Sequence, residues 1–118
     1  DHICWQEYVP LKALLPHVAA LVHHGGIGTT AEALRAGVPQ LVVPLAHDQF
    51  DNAARVMGIK AGVSLHASKV TPARMVEALR RVVGNEGMAR GAAGAAQRFV
   101  DASSIDPLCD RLEALART

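Results

Sequence analysis

A continuous apolar run, Ala19-Ala20-Leu21-Val22-His23, leads into His24-Gly25-Gly26-Ile27-Gly28-Thr29-Thr30. A helix-forming stretch from Ala31 to Ala36 follows, closed by Gly37, and after Val38-Pro39 comes a second apolar run from Gln40 to Val43. Strand, glycine loop, helix, strand is an order that few folds admit, because two successive strands joined through a helix must run parallel. The unbroken apolarity of Ala19–His23 predicts a strand buried on both faces, and a parallel sheet buries both faces only when helices cover each side. The fold class is therefore α/β, a Rossmann-like parallel sheet with helices on both faces.

The rest of the chain extends the same alternation. Ile3 to Trp5 reads as a short strand, and Pro10 opens a helical turn through Leu14 and Leu15. Asp48 to Met57 forms a helix ending at Gly58, Val63 to Leu65 another short strand, and Thr71-Pro72 caps and starts a helix to Val83. Glu86 to about Ala102 is helical, its Gly91-Ala92-Ala93-Gly94-Ala95-Ala96 segment marking a closely packed helix. Asp106-Pro107 begins a last amphipathic helix with Leu108, Leu112 and Leu115 along one stripe. One partial domain over residues 1–118 is expected, with the helices of about 86–117 packed on it. Met57, Met75 and Met88 are read as helix core.

Composition removes several functions. Twelve Lys plus Arg against eleven Asp plus Glu leave a net charge of +1, and one Trp, one Tyr and two Phe make no stacking platform, so no nucleic acid is expected as partner. No apolar run approaches the roughly 18 residues of a membrane span, and no leader pattern opens the chain. Cys4 and Cys109 stand far apart without metal-binding spacing. Two free thiols and a reducing, cytoplasmic setting follow, with no metal.

In a parallel α/β sheet ligands gather at the carboxyl ends of strands, and a glycine loop entering a helix aims free backbone N–H groups at one point. That point suits a phosphate. Gly25, Gly26 and Gly28 carry no side chain to block an anion, Thr29 adds a hydroxyl donor, His24 adds another, and the helix contributes about half a positive charge. The alternative is that the glycines serve close packing alone. No Gly-Lys-Ser/Thr follows, so the loop is not a P-loop. Gly26, Gly28 and Ala31 make a GxGxxA variant of the dinucleotide fingerprint, but Asp48 lies beyond the strand end that such a site requires.

The stretch from Tyr8 to Arg55 resembles the donor-binding C-terminal domain of two-domain (GT-B) inverting glycosyltransferases that use nucleotide-diphosphate sugars. It is carried by Tyr8-Val9-Pro10-Leu11, Leu14-Leu15-Pro16, Val22 through Thr30, Glu32-Ala33-Leu34, Ala36-Gly37-Val38-Pro39 and His47-Asp48-Gln49-Phe50-Asp51-Asn52-Ala53. Bacterial rhamnosyltransferases and macrolide glycosyltransferases are the nearest in kind, and UDP-glycosyltransferases of plants share the skeleton more distantly.

The resemblance implies that His24 meets the donor's phosphates with the Gly26 and Gly28 backbones and Thr29. It implies that Glu32 accepts hydrogen bonds from the ribose, and that Asp48 and Gln49 hold hydroxyls of the transferred sugar. A carboxylate only accepts while an amide both donates and accepts, so the pair can read vicinal hydroxyls. Ordinary surface charge for Glu32 and an N-cap for Asp48 are the plain alternatives. For the base, Tyr8 would stack and Val9 would offer its backbone; Trp5-Gln6 is an offset alternative, with Trp5 otherwise a partly buried strand residue. His23 is read as a strand-end residue near the site without a chemical role, and His2, His17 and His66 as surface histidines.

In such enzymes the general base and acceptor pocket belong to the N-terminal domain. The chain is thus expected to be the donor half of a GT-B fold truncated on its N-terminal side, without a catalytic residue or cofactor and inactive alone. The whole enzyme would move a hexose such as rhamnose or glucose from a UDP- or TDP-sugar to a small or lipidic acceptor with inversion. Its expected location is the cytoplasm, with the face of the inner membrane also open to it, and bared apolar surface would let the fragment self-associate. Two rivals stand beside this reading: an NAD-type Rossmann oxidoreductase domain, which dinucleotides rather than nucleotide sugars would protect against heat, and a non-catalytic nucleotide-binding module.

Overall fold

The computed structural model describes residues 2–99 and 105–118. Along the chain run α1 (Leu11–Leu14) and a 3-10 turn (Leu15–His17), β1 (Leu21–His23), α2 (Ile27–Ala36), β2 (Gln40–Val42) and α3 (Gln49–Gly58). They are followed by β3 (Gly62–Ser64), a 3-10 turn (Ala67–Lys69), α4 (Pro72–Val82), α5 (Glu86–Gln97) and α6 (Ile105–Ala116). The three strands are parallel in the order β1-β2-β3, with Leu21 opposite Gln40 and Gln40 opposite Gly62.

Alternation along the pleat sends the side chains of β2 to two cores. On one side Val42 meets Ala53 and Val56 of α3, Ala61 just before β3, and Ala92 of α5, with Leu34 of α2 against them. On the other, Leu41 and Val63 meet Ala78 and Val82 of α4, with Met75, Leu79 and Met88 at the margin. The α/β class with both faces covered is as expected. Small residues set the spacing on the first side: a Cβ at Gly91 would overlap the Lys60 carbonyl oxygen, and Gly37 closes α2 at a φ of 69° with the α5 backbone beside it. The Gly91–Ala96 segment is therefore the close-packed helix that its composition predicts. Thr71 caps α4 by accepting from the Arg74 N–H at 3.2 Å.

Several expectations need correction. Ile3–Trp5 is not a strand; Ile3 and Trp5 lie exposed, Trp5 at 80 %, and the three described strands offer this segment no pairing. The fully buried strand is β2, whereas in β1 Val22 is 45 % exposed, because β1 pairs with β2 alone and stands at the sheet edge. α2 begins at Ile27, four residues before the expected start, so Gly28 and Thr29 belong to its first turn. Met57 is exposed on α3 rather than in a core. The helix expected to reach about Ala102 ends at Gln97, with Arg98 and Phe99 in a turn; its expected residues 100–102 lie outside the described ones.

Candidate functional site

The carboxyl ends of β1 and β2 carry the two segments of interest side by side, the glycine loop and the turn from Pro44 to Gln49. Gly25 turns the chain out of β1 at a φ of 95°, and a Cβ there would lie 2.9 Å from Val42 Cγ1 and 3.1 Å from the Gln49 carbonyl oxygen. No L side chain fits both constraints. The two segments are tied by Asn52, whose buried side-chain amide donates to the Gly25 carbonyl at 2.9 Å and to Asp48 Oδ2 at 3.3 Å.

Within the loop, the Gly26 N–H donates to His24 Nδ1 at 3.0 Å, which fixes the exposed His24 ring over the entrance to α2. A Cβ at Gly26 would stand 2.7 Å from His24 Cε1, so glycine there keeps the ring in place. The first intrahelical bond runs from the Thr30 N–H to the Gly26 carbonyl at 2.9 Å, and the Thr30 hydroxyl donates to the same oxygen at 2.8 Å. The N–H groups of Ile27, Gly28 and Thr29 precede that bond, and α2 has no side-chain N-cap to absorb them. Three oriented N–H donors, the Thr29 hydroxyl and the far edge of the His24 ring thus share one helix end, where the aligned peptide dipoles favour an anion.

Glu32 lies one turn beyond Gly28 on the same face of α2, half-buried and paired with Arg35 at 3.3 Å. In the neighbouring turn, Gln49 Oε1 accepts the Leu45 and Ala46 N–H groups at 2.9 and 3.1 Å. The carbonyl end of Gln49 is thereby spent on shaping its own turn, which leaves the NH2 end as its outward group. Asp48 occupies the N-cap position of α3, as the plain alternative for it held, but its side chain makes no cap bond; its exposed carboxylate accepts from Asn52 instead. Tyr8 precedes α1 and is 81 % exposed. Neither it nor Trp5 is held by the fold, and the partly buried Trp5 of the sequence reading is corrected.

The residues that hold the loop and its neighbouring turn are ones to which the sequence assigned no role: Asn52, Thr30, Gln40 and His23, the last placed near the site without a chemical part. Gln40 was the legible signal, a polar residue with no exposure inside an otherwise apolar strand. Cys4 and Cys109 are free and exposed, as expected. Among the described residues no group of acidic, His or Cys side chains has the makings of a metal site, and no helix is long and apolar enough to cross a membrane. A hollow of about 340 Å³ opens between α2 and α3, lined by Ile27, Thr30 and Asn52 together with Leu34 and Ile59, so it adjoins the start of α2. His24, Ile27 and Gly28 themselves are exposed.

Residues 1–115 match the family model of the erythromycin biosynthesis protein CIII-like C-terminal domain. An uncharacterized glycosyltransferase of Mycobacterium tuberculosis is 34 % identical over 117 residues, 99 % of this chain and 28 % of its own length. The 3-alpha-mycarosylerythronolide B desosaminyl transferase of Saccharopolyspora erythraea is 38 % identical over 93 residues, covering 79 % of this chain and 22 % of the transferase. Among solved structures, the glycosyltransferase VinC in complex with DTDP superposes with a TM-score of 0.85 at 34 % identity, over 96 % of this chain and 29 % of VinC. The spinosyn forosaminyltransferase SpnP gives 0.91 at 28 % identity, over all of this chain and 32 % of SpnP. The chain thus spans between about a fifth and a third of the length of these relatives. The parallel sheet with helices on both faces is the architecture these GT-B glycosyltransferases share with it, and the chain belongs to the family of erythromycin biosynthesis protein CIII-like C-terminal domains of glycosyltransferases.

Proposed function

We propose that this domain binds the nucleotide-diphosphate sugar of a glycosyltransferase that transfers a hexose from a TDP- or UDP-sugar to an acceptor hydroxyl with inversion. The observation that carries the reading is the group of unclaimed N–H donors at the start of α2, flanked by His24 and Thr29, in a chain whose relative VinC was solved with DTDP. The diphosphate sits on those donors, with Gly25, Gly26 and Gly28 leaving the approach clear. Glu32 accepts from the ribose, Tyr8 and Val9 meet the base, and Asp48 with the NH2 group of Gln49 orients the sugar. A small or lipidic acceptor and the base that deprotonates it are supplied by residues outside this chain, and no cofactor enters. An NAD-type oxidoreductase domain is disfavoured, since the relatives named above are glycosyltransferases.

Calorimetric titration of the chain with UDP, TDP, their glucose and rhamnose conjugates, and NAD tests this directly. Binding of a nucleoside diphosphate without NAD is expected, weakened by roughly 1 to 3 kcal/mol in His24→Ala and in Thr29→Val with little change in melting temperature. Unchanged affinity in both variants would remove the cradle. Asp48→Ala should lower affinity for the sugar conjugate more than for the free nucleotide, and equal losses would move the sugar elsewhere.

A further inference from the structure

His23, the last residue of β1, is held at both ring nitrogens. The Gly25 N–H donates to its Nδ1 at 3.0 Å, and its Nε2 stands 2.6 Å from Gln40 Oε1. A ring nitrogen that accepts an N–H carries no proton, so in the neutral ring Nε2 bears it and donates to Gln40. The Gln40 amide is turned by that bond, and its NH2 group faces the Thr30 carbonyl of α2 at 3.5 Å. Gln40 is wholly buried, and the His23 ring is half-buried beside it. A chain of polar contacts therefore runs from the Gly25 peptide through His23 and the centre of the sheet to the first turn of α2.

We propose that His23 is a positioning residue for the phosphate site: a neutral imidazole protonated at Nε2, whose Nδ1 holds the Gly25 peptide so that the N–H groups at the start of α2 stay open to a nucleoside diphosphate. The inference rests on the nucleotide-binding reading above and adds the residue that sets the loop's shape. The peptide between His24 and Gly25 has its N–H on His23, and the next one has its carbonyl on Asn52. With both anchored, the positive φ of Gly25 is fixed, and so is the direction in which the loop enters α2. Burial holds the His23 imidazole below its usual pKa, with Gln40 pulling it up and His24 pushing it down, and the neutral ring is the form that these contacts require. Protonation would place an N–H against the Gly25 N–H and break the anchor.

Two variants of the chain separate positioning from bulk. In His23→Asn the side-chain oxygen stands where Nδ1 stands and can accept the Gly25 N–H; in His23→Gln the amide reaches the Nε2 position, beside Gln40, and leaves Gly25 without an acceptor. Titration with TDP and UDP should show His23→Asn within about threefold of the parent and His23→Gln weaker by about tenfold or more, the size of one lost hydrogen bond. Nitrogen-15 NMR of the ring should show the Nε2–H tautomer, and hydrogen exchange should find the Gly25 amide protected in the parent and His23→Asn but not in His23→Gln. The Nδ1–H tautomer, or His23→Gln binding as well as the parent, would overturn the proposal, as would equal loss in both variants in step with their melting temperatures. If no form of the chain binds either nucleotide, it is the nucleotide-binding reading that fails, and the tautomer and the Gly25 amide still decide whether His23 sets the loop.

Discussion

A Cβ at Gly28 would meet nothing within 4 Å, whereas one at Gly25 would meet both Val42 and the Gln49 backbone. Gly25 is demanded by the fold, whereas nothing in the fold demands glycine at Gly28, and the nucleotide-binding proposal gives that position to the approaching ligand. Gly28→Ala should leave the melting temperature unchanged or raise it slightly, since glycine inside a helix costs about 0.5 to 1 kcal/mol relative to alanine. Gly28→Leu should fold equally well and lose nucleotide affinity, which titration beside thermal melting would show; retained affinity would mean that the ligand does not approach this face. At His23 the consequence is a pH dependence. Its folded pKa lies below the ordinary value of 6.5, so the stability tied to its neutral ring is whole above that value and declines as the pH falls through the lowered folded one. Melting curves between about pH 7.5 and about pH 5.5 should fall less steeply in His23→Asn than in the parent. Identical slopes would detach the ring from stability.

At the scale of elements, the site depends on α3 being fastened to the loop after β1. Asn52 performs this fastening from within α3, its amide shared between the Gly25 carbonyl and the Asp48 carboxylate. Asn52→Ala leaves the buried Gly25 carbonyl without that donor and should cost about 1 to 3 kcal/mol of stability, read by denaturant unfolding, with nucleotide affinity falling as well. A loss confined to stability would show that the loop keeps its shape without α3. The helices and strands around this junction were legible because each has a local cause: Gly37 ends α2, Thr71-Pro72 starts α4, and β2 is apolar save for one residue. Pattern and resemblance single out His24, Thr29, Glu32, Asp48 and Gln49 as candidates, but they say nothing of the partners these residues have in the fold. That Asn52 reaches across 27 residues to Gly25, or that Gln49 folds back on its own turn, depends on which elements become neighbours, and spacing along the chain does not encode that. Ile3–Trp5 misled for the same reason. Three apolar residues have strand propensity anywhere, but a strand forms only where the fold brings them against an open edge, and this segment stays exposed and unpaired.

At the scale of the whole molecule, two surfaces have no cover among the described residues. The free edge of β1 carries a half-exposed Val22, and α6 shows Ile105, Leu108, Leu112 and Leu115, each more than half exposed along one stripe. An amphipathic helix keeps its apolar stripe in water only at a cost of about 25 cal/mol per Å² of apolar area, so any contact that covers it is favoured. The candidate site is exposed as well. His24, Ile27 and Gly28 are exposed, so water competes at the donors proposed for the diphosphate, and both nitrogens of His23 and the Nδ1 of His24 are already engaged, by Gly25, Gln40 and Gly26. The chain should therefore bind a nucleotide sugar weakly and transfer nothing. Detectable sugar transfer to any acceptor hydroxyl by the purified chain would place a base among these residues and refute that division. Light scattering should find the chain associating as its concentration rises, and Leu108→Glu with Leu112→Glu should return it to a single copy without altering nucleotide affinity, because α6 takes no part in the cradle. Association that survives both substitutions would shift the contact to the open edge of β1, where backbone N–H and C=O groups rather than leucines do the joining.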